Sequence, residues 1–430
     1  MKERFPSSDR PGGLPRLRIA FVVDRFPALS ETFILNQITG LLDLGHDIDI
    51  YSSTRERVGV VHDDVLSYRL LERVACPPPA HHYRWDALGA LIRHRRGGHR
   101  IPLPTALGAL GGRLDHPRLR LLPVCLQRFP ERDYHIVQCH FAPNGTLGAV
   151  LKDLGVIAGK LVTTFHGYDL RQGLESGPRT YRYLRDRGDC FVAISSYNRT
   201  GLERLGFPPG RIVDHPVGID LAKFPFRGGT VEERLHSGPV EVLTVARLVP
   251  EKGIEFGLRA VHQLARTERG PRIRYTIIGS GVLELPMRGL AASLGLDPVV
   301  HFMGEQDQAE VSRVMRSADI FLLPSTAEVL PVVLMEAQAV GLPVVATDVG
   351  SVRDIVEDGR SGVVVPPADT DALVGGLRRL LDHQEAWPAM GRWGRRRVEE
   401  RYDVGRLNPR LVDIYRALLG ANRPPPPAAV

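Results

Sequence analysis

The sequence predicts an α/β protein built from two doubly wound domains that face each other across a cleft. Its 430 residues exceed what one compact core usually holds and suggest two units of roughly 200 residues each. Short apolar runs alternate with helical patterns along the chain, which is how a parallel sheet covered by helices is built. The alternation weakens over residues 221–238, a Gly- and Pro-bearing stretch typical of an interdomain linker.

The first domain is predicted over residues 17–220. A strand at 18–23 precedes a helix within 30–46, for which Ser30 is a suitable N-cap. Further strands are predicted at 46–52, 135–141, 160–167 and 190–195. Polar or small residues follow these apolar runs, as expected where strands of a parallel sheet end near a ligand.

The second domain is predicted over residues 239–402. Its strands are expected at 241–248, 274–279, 299–304, 319–325, 343–349 and 362–367, with helices at 255–266, 285–295, 308–318, 331–341 and 370–384. Residues 403–430 are expected to form a C-terminal helix, which crosses back to the first domain, and a flexible tail. Because ligands bind at the carboxyl ends of such strands, the cleft between the domains is the expected site.

The composition is that of an ordinary soluble protein, with 43% hydrophobic and 24% charged residues. No apolar run reaches the ~18–20 residues that a transmembrane helix needs. Residues 1–16 lack the apolar core of a signal peptide and are interpreted as a disordered leader. None of the four cysteines has CxxC spacing, which favours free thiols in a reducing cytoplasm.

The basic character of the chain is concentrated in one segment. Residues 78–132 contain ten arginines against three acidic residues, a balance of 10 − 3 = +7, which equals the net charge of the whole chain. Arginines mixed with Trp and Leu suit amphipathic helices at an anionic membrane surface, or a face for a pyrophosphate-bearing acceptor. A plain solvated surface is the alternative. Nucleic acid is not expected, because no recognised nucleic-acid-binding motif is present.

Two cations are predicted near the start of a helix in the second domain. Arg247 follows a strand and Lys252 comes five residues later, just before the helix. Two cations beside a helix N-terminus can hold a pyrophosphate, although two surface cations would look the same. Gly279, Ser280 and Gly281 form a tight turn after the next strand. Glu284 stands where a dinucleotide fingerprint needs a third glycine, which argues against a nicotinamide-dependent enzyme.

The stretch AEVLPVVLMEA places two glutamates in an apolar environment. Pro331 fits the first position of a helix, with the N–H groups of Val329 and Leu330 exposed at the helix mouth. Glu328 would then lie in the preceding loop and Glu336 within the helix. A carboxylate can accept two hydrogen bonds from a vicinal diol such as that of a ribose. A buried structural glutamate paired with a basic side chain is the alternative.

One histidine stands at the end of a predicted strand of the first domain. His166 follows an apolar run and precedes Gly167, which allows close approach of a ligand. A neutral imidazole there could donate a hydrogen bond to a sugar hydroxyl or to an oxygen in a transition state. A structural histidine is the alternative.

Taken together, these motifs resemble those of the retaining, nucleotide-sugar-dependent glycosyltransferases of the GT-B fold, family-4 type. The resemblance covers nearly the whole chain after the leader. Its most specific element is a glutamate, seven residues and a second glutamate, Glu328 to Glu336, followed by AQAVGLPVVATDVG. In the first domain SETFI, CHFAPNG and TFHGYDL resemble the exopolysaccharide and colanic-acid-type members, which transfer a sugar onto a polyprenyl-pyrophosphate-linked oligosaccharide.

The resemblance implies a role for each donor-side residue. Arg247 and Lys252 would hold the donor diphosphate and stabilise it as a leaving group, and Glu336 would bind the ribose hydroxyls. Glu328 and His166 would face the transferred sugar near the reacting centre. The remaining donor-binding residues would be Gly279, Ser280, Val329, Leu330 and Pro331.

The resemblance also implies the acceptor side and the conditions of the reaction. Ser30, Glu31, His140 and Asn144 would lie on the acceptor side. No cofactor and no metal are expected, the donor being a UDP- or GDP-sugar. The expected location is the cytoplasm, peripheral at the inner face of the cell membrane. The implied mechanism is attack on the same face of the sugar, with the leaving phosphate as base.

One departure from the family pattern affects the sugar pocket. The family usually has Gly after the first glutamate, where this chain has Val329. Either the loop has an ordinary conformation with the side chain turned away, or the sugar pocket is altered. The alternatives to a glycosyltransferase are a non-hydrolysing sugar-nucleotide epimerase or a phosphorylase on the same fold, and a non-catalytic partner protein that binds a nucleotide sugar.

Overall fold

A computed structural model describes residues 15–28, 31–54, 62–77, 121–129, 132–228, 238–266 and 273–420. These residues form two parallel β-sheets, each with a hydrophobic core on both faces. The predicted fold class, two doubly wound α/β domains facing across a cleft, is confirmed. The leader up to residue 14, most of the basic segment (78–120 and 130–131), linker residues 229–237 and tail residues 421–430 lie outside the described residues.

The first sheet has seven strands in the order β3-β2-β1-β4-β5-β6-β7. They are β1 Arg18–Arg25, β2 Asp47–Thr54, β3 Val74–Ala75, β4 Ile136–His140, β5 Lys160–Phe165, β6 Cys190–Ala193 and β7 Ile212–Asp214. In β1, Ile19 and Phe21 face one core while Ala20 and Val22 face the other. The apolar runs are therefore continuous rather than alternating, as expected for a sheet that is buried on both faces.

The helices of this region follow the strands in the expected alternation. They are α1 Thr32–Asp43, α2 Asp63–Ser67, α3 Leu121–Arg128, α4 Ala142–Asp153, α5 Gly167–Ser176, α6 Arg182–Arg187 and α7 Ser196–Arg204. Helix α1 begins at Thr32, with Glu31 in the position before its first turn. Ser30, the predicted N-cap, lies outside the described residues.

The second sheet has six strands in the order β10-β9-β8-β11-β12-β13. They are β8 Val240–Val245, β9 Ile273–Ile278, β10 Val300–Gly304, β11 Ile320–Leu323, β12 Val344–Thr347 and β13 Gly362–Val365. Strands β8 and β11 are neighbours at the centre of this sheet. The loops that follow these two strands carry the predicted phosphate-binding and glutamate motifs.

The helices of the second region are α8 Ile254–Ala265, α9 Glu284–Ser293, α10 Gln308–Ser317, α11 Val332–Val340, α12 Val352–Ile355, α13 Thr370–Leu381, α14 Trp387–Arg401 and α15 Val404–Gly420. Helix α15 packs in the core beside the first sheet. The hydroxyl of Tyr415 donates a hydrogen bond to Gln138 Oε1 at 2.9 Å. The chain therefore returns to the first sheet after completing the second.

The chain passes between the two regions twice, and the two passages lie side by side. The backbone N–H of Ile219 donates to Tyr402 O at 2.9 Å, and that of Val404 donates to Ile219 O at 3.1 Å. These backbone hydrogen bonds hold the two passages together. In the described ranges, no helix combines the length and the apolar character that a membrane span requires.

Candidate active site

A cavity of about 760 Å³ lies between the two sheets, where the loops after their strands face each other. Seven predicted site residues line it: Glu31, His166, Arg247, Lys252, Glu328, Val329 and Leu330. They come from distant parts of the chain, and the parallel arrangement of the strands brings their carboxyl ends together. The cavity is the place where the predicted donor and acceptor sides meet.

A buried histidine, His166, lines the floor of the cavity on the first-domain side, with a second histidine, His140, behind it. His140 ends β4 and His166 follows the adjacent β5. His140 Nδ1 lies 3.0 Å from His166 Nε2, so one nitrogen donates and the other accepts. Burial lowers the pKa of His140 to about 3. Burial, with the neighbouring His140, also lowers the pKa of His166 well below its ordinary value. Both rings are therefore neutral at pH 7.

Aromatic rings hold the histidine pair in place. The ring of Phe33 lies 4.7 Å from that of His166, and the ring of Phe141 lies 4.6 Å from it on centroid distances. Phe21 stacks on His140 at 5.6 Å. These contacts bury the imidazoles and fix their planes, which explains the lowered pKa values.

A buried carboxylate that sequence reasoning missed supports the same floor. Asp169 accepts hydrogen bonds from the backbone N–H groups of His166 and Ala142, both at 2.8 Å. It therefore joins the start of α5 to the start of α4. Burial raises the pKa of Asp169 to about 6, against the opposing effect of these hydrogen bonds. The signal in the sequence is an acidic residue three positions after His166, as in a capping box.

A charged pair forms the opposite wall of the cavity. Lys252 Nζ lies 2.5 Å from Glu328 Oε1, and the hydroxyl of Ser325 donates to the same oxygen at 2.8 Å. The side chains are 18% and 9% exposed. The pairing of Glu328 with a basic side chain is the alternative that the sequence left open. The same lysine is also the residue predicted to hold a diphosphate. Glu328 Oε2 makes no hydrogen bond to any described residue.

The local sequence explains how the second sheet assembles this wall. A short turn at Pro250–Lys252 precedes α8, and the N–H of Thr326 donates to the carbonyl of Glu251 at 2.8 Å. This bond ties the loop after β8 to the loop after β11. Arg247 lies on the same loop as Lys252, and its exposed guanidinium has no partner within the described ranges. One cation of the predicted pair is thus engaged, and the other is available to a ligand.

The glycine turn after β9 lies behind this wall rather than in the cavity. Gly279 has φ +132°, and a Cβ there would overlap the carbonyl of Ala246. Only glycine lets the turn lie against the backbone that carries Arg247. Ser280 Oγ donates to Glu305 at 3.3 Å near the surface. Neither of the two predicted donor-binding residues, Gly279 and Ser280, lines the cavity.

The second glutamate of the motif lies one helical turn away from the cavity. Helix α11 begins at Val332, one residue later than predicted, with Pro331 immediately before it. Val332 lines the cavity, and Glu336 follows four positions later on the same face of the helix. Glu336 is half-buried and forms no hydrogen bond or ion pair with the part of the chain that the structure describes. Burial raises its pKa to about 7.

Val329 combines features of the two predicted alternatives. Its φ is outside the left-handed region, so its backbone is ordinary. Its side chain nevertheless lines the cavity and does not turn away from it. The backbone accommodates the β-branched residue without strain, and its side chain occupies part of the cavity volume.

Of the four residues predicted on the acceptor side, one lines the cavity, two support it, and Ser30 lies outside the described residues. Glu31 lines the cavity. His140 lies behind His166, and Asn144 Nδ2 donates to the carbonyl of His140 at 2.8 Å. Both His140 and Asn144 are buried. They support the floor and do not line the cavity itself.

Several cavity residues were not identified from the sequence. Tyr168 and Tyr197 are exposed and follow adjacent strands, and Arg171 lies one turn after Tyr168 on α5. The only feature of the sequence that could have identified them is their position at or near the start of a helix that follows a strand. Across the ranges described, no group of three or more His, Cys, Asp or Glu side chains is arranged to hold a metal ion.

Family models match both halves of the chain. The model of glycosyl transferases group 1 matches residues 231–397, and the model of glycosyltransferase family 4 matches residues 30–223. A glycosyltransferase of Escherichia coli K12 named for colanic acid biosynthesis is 33% identical over 94% of this chain and 100% of its own length. An amylovoran biosynthesis glycosyltransferase of Erwinia amylovora is 32% identical over 85% of this chain and 90% of its own length.

Solved structures share the architecture at low sequence identity. Anabaena HepE, crystallised with UDP, has a TM-score of 0.70 at 16% identity, covering 92% of this chain and 99% of its own. The sucrose-phosphate synthase of Thermosynechococcus elongatus has a TM-score of 0.71 at 20% identity, covering 95% of this chain and 100% of its own. At these identities the likeness concerns the fold alone.

Proposed function

This chain belongs to the glycosyltransferases described by those family models and is a glycosyltransferase of the GT-B fold, and we propose that it transfers a hexose with retention from a nucleotide diphosphate sugar to a lipid-linked glycan acceptor. The observation that carries the proposal is the cavity wall in which Arg247, Lys252 and Glu328 meet opposite the neutral His166. Cations and a carboxylate at one point suit a ligand with phosphates on one side and hydroxyls on the other.

The donor diphosphate is assigned to Arg247 and Lys252. The guanidinium of Arg247 offers a forked set of donors to phosphate oxygens, and Lys252 can bridge a phosphate and Glu328. Glu336 is assigned to the ribose hydroxyls, because it shares a helix face with Val332 and has no partner among described residues. The backbone and side chains of Val329 and Leu330, with Pro331, Gly279 and Ser280 behind them, complete the proposed donor site.

The proposed reaction breaks the bond between the sugar carbon and the diphosphate oxygen. The acceptor hydroxyl forms the new bond on the same face of the sugar, and its proton passes to the departing diphosphate. Arg247 and Lys252 stabilise the charge that develops on the leaving group. Glu328 Oε2 and the neutral ring of His166 are assigned to hydroxyls of the transferred sugar. No metal or cofactor is included in this proposal.

The acceptor is proposed to be a glycan on a lipid carrier, in the assembly of a surface polysaccharide. The relatives named for colanic acid and amylovoran biosynthesis support this assignment. The arginine-rich residues 78–132 also favour it, because a local excess of +7 attracts anionic headgroups. We place the protein in the cytoplasm, peripheral at the inner face of the cell membrane, with Glu31 on the acceptor side and His140 and Asn144 supporting it.

The donor assignment is tested with the purified protein and a panel of UDP-, GDP- and ADP-sugars. We expect one base to raise the melting temperature and to release nucleoside diphosphate when a lipid-linked acceptor is added. Glu336→Ala and Lys252→Ala should both abolish release. Full activity in both variants would overturn the site assignment.

Two competing functions give different results in the same assay. An epimerase would convert the donor with no acceptor present, and a binding protein would hold the donor tightly without product from any acceptor. Membrane association is tested by flotation with anionic and neutral vesicles. Salt-sensitive binding to the anionic vesicles is expected, and equal binding to neutral vesicles would contradict it.

A further inference from the structure

Val329 lies close to Gly167 of the opposite domain across the cavity. A Cβ built on Gly167 would lie 3.1 Å from Val329 Cγ2 and 3.4 Å from Val329 Cβ. Apart from its chain neighbours and the backbone of its own helix, it would have no other heavy atom within 4 Å. Gly167 has an ordinary φ, so its backbone does not require glycine. What limits the size of residue 167 is therefore the side chain of Val329 on the other side of the cleft.

The loop that carries Val329 is fixed in its own domain. The N–H of Ser351 donates to the carbonyl of Val329 at 3.0 Å. Gly350 has φ +55°, and a Cβ there would overlap the carbonyl of Glu328. The loop consequently packs directly on the 350–351 backbone and cannot withdraw from the cleft without breaking that contact.

Gly167 is equally fixed in the first domain. It follows His166, whose backbone N–H is bound by Asp169 and whose ring is held by Phe33 and Phe141. The loop that carries Val329 and the segment that carries Gly167, each held in its own domain, thus approach each other at one methyl group of Val329. Val329 directly follows Glu328 and Gly167 directly follows His166, the two residues whose side chains we assign to the transferred sugar.

We propose that Val329 and Gly167 form a cross-cleft stop that sets how far the two domains close and how large a sugar the donor site admits. The proposal rests on the proposed transfer of a sugar from a nucleotide donor. A smaller residue at 329 enlarges the space beside Glu328. Extra bulk at 167 has the opposite effect, because it must either push the domains apart or displace the isopropyl group.

The stop is tested first without any ligand, by a double-mutant cycle of Gly167→Leu and Val329→Ala. An alanine at 167 requires a shift of only a few tenths of an ångström, so the larger leucine is used for scattering. Small-angle scattering should give a larger radius of gyration for Gly167→Leu alone and a radius closer to wild type for the double variant. Gly210→Leu is the matched control, because Gly210 is exposed and a Cβ there has no neighbour within 4 Å. An unchanged radius in Gly167→Leu, or a double variant as expanded as the single one, would overturn the stop.

The effect on the donor is tested by binding of UDP, UDP-glucose and UDP-N-acetylglucosamine. Gly167→Ala should weaken UDP-glucose binding about tenfold, and Val329→Ala should restore it in the double variant. Val329→Gly should shift the ratio of affinities about tenfold toward the bulkier UDP-N-acetylglucosamine. Val282→Ala, at a side chain that is 79% exposed, is the control. Losses that simply multiply in the double variant would overturn the proposal.

The proposed donor site and the proposed stop can be rejected independently of each other. If none of the three nucleotides binds the wild-type protein but the scattering cycle is coupled, the assignment of these donors fails and the stop stands. If the nucleotides bind and the cycle is uncoupled, the donor site stands and the stop is rejected.

Discussion

The two walls of the cleft differ in the charge of their buried polar clusters, a histidine pair on one and an ion pair on the other. On the first-domain wall, His140 and His166 are buried among aromatic rings and held neutral. On the second-domain wall, Lys252 and Glu328 form an ion pair next to the exposed Arg247. A neutral, enclosed imidazole suits the positioning of hydroxyl groups, whereas a cluster with two cations suits the binding of phosphates. We therefore expect substitutions on the second-domain wall to reduce both activity and stability, and substitutions under the first-domain wall to act mainly on stability.

The largest effect is expected from Lys252→Ala on the charged wall. It removes one of the two cations proposed to hold the donor diphosphate and leaves Glu328, 9% exposed, without its cation. We expect kcat/KM to fall about 10³-fold and the free energy of unfolding to decrease by ~3 kcal/mol. Steady-state kinetics and denaturant titration measure the two losses. The double variant Lys252→Ala, Glu328→Ala should recover part of the stability but none of the activity.

The control for that experiment is Arg353→Ala, which breaks an exposed ion pair with Asp348 at 2.9 Å. It should change the free energy of unfolding by less than ~1 kcal/mol and leave kcat/KM unchanged. An activity of Lys252→Ala within tenfold of wild type would show that the charged wall does not serve the donor diphosphate.

The neutral wall should respond to Asp169→Ala mainly through stability. The variant leaves two buried N–H groups, of His166 and Ala142, without their acceptor. The expected loss in free energy of unfolding is ~3 kcal/mol, and Asp169→Asn should lose less. Asp369→Ala, which removes an exposed helix cap on Ala372, should cost only about 1 kcal/mol. Equal losses at the two positions would contradict the supporting role of Asp169.

The pH dependence of the free energy of unfolding tests the environment of Glu336, which has no ion-pair partner among the described residues. Its folded pKa of about 7 lies above the value of ~4.3 expected in the unfolded chain. The folded protein therefore binds the extra proton, and its stability falls as pH rises from about 4.3 to 7. Glu336→Gln should remove this fall and be more stable than wild type at pH 8 by up to ~3 kcal/mol. Parallel stability curves for the two proteins would contradict the raised pKa.

The smallest effect is expected from the histidine floor, with the opposite sign. Because the folded pKa of His140 is about 3 and the unfolded value is ~6.5, the unfolded chain binds more protons below pH 6.5. Stability is therefore lost on acidification, by about 1.4 kcal/mol for His140 at pH 5.5. His140→Gln should flatten this slope in urea titrations between pH 5 and 7, and the exposed His301→Gln should not.

The sequence predicts the two sheets well, because strands buried on both faces are long apolar runs that differ clearly from amphipathic helices. The positions of Arg247, Lys252 and Glu328 in strand-end loops could be predicted for the same reason. The start of α11 could be predicted only to within one residue, since Pro331 suits both the first helical position and the one before it.

The contacts between separated loops could not be predicted from the sequence. The bond of Lys252 to Glu328 spans 76 positions, and the approach of Val329 to Gly167 crosses from one domain to the other. Such contacts depend on how two folded units are placed, and no local periodicity reports that placement. Asp169 is different, because its capping position three residues after His166 is visible in the chain.

The return of helix α15 to the first sheet also determines the order in which the protein can be completed on the ribosome. Leu411, Ile414 and Tyr415 close a core that otherwise consists of residues made before the second sheet, from Leu17 to Val213. The second sheet is synthesised entirely in between. The first core therefore remains open while its partner folds, and this interval is when the nascent chain most needs protection from aggregation.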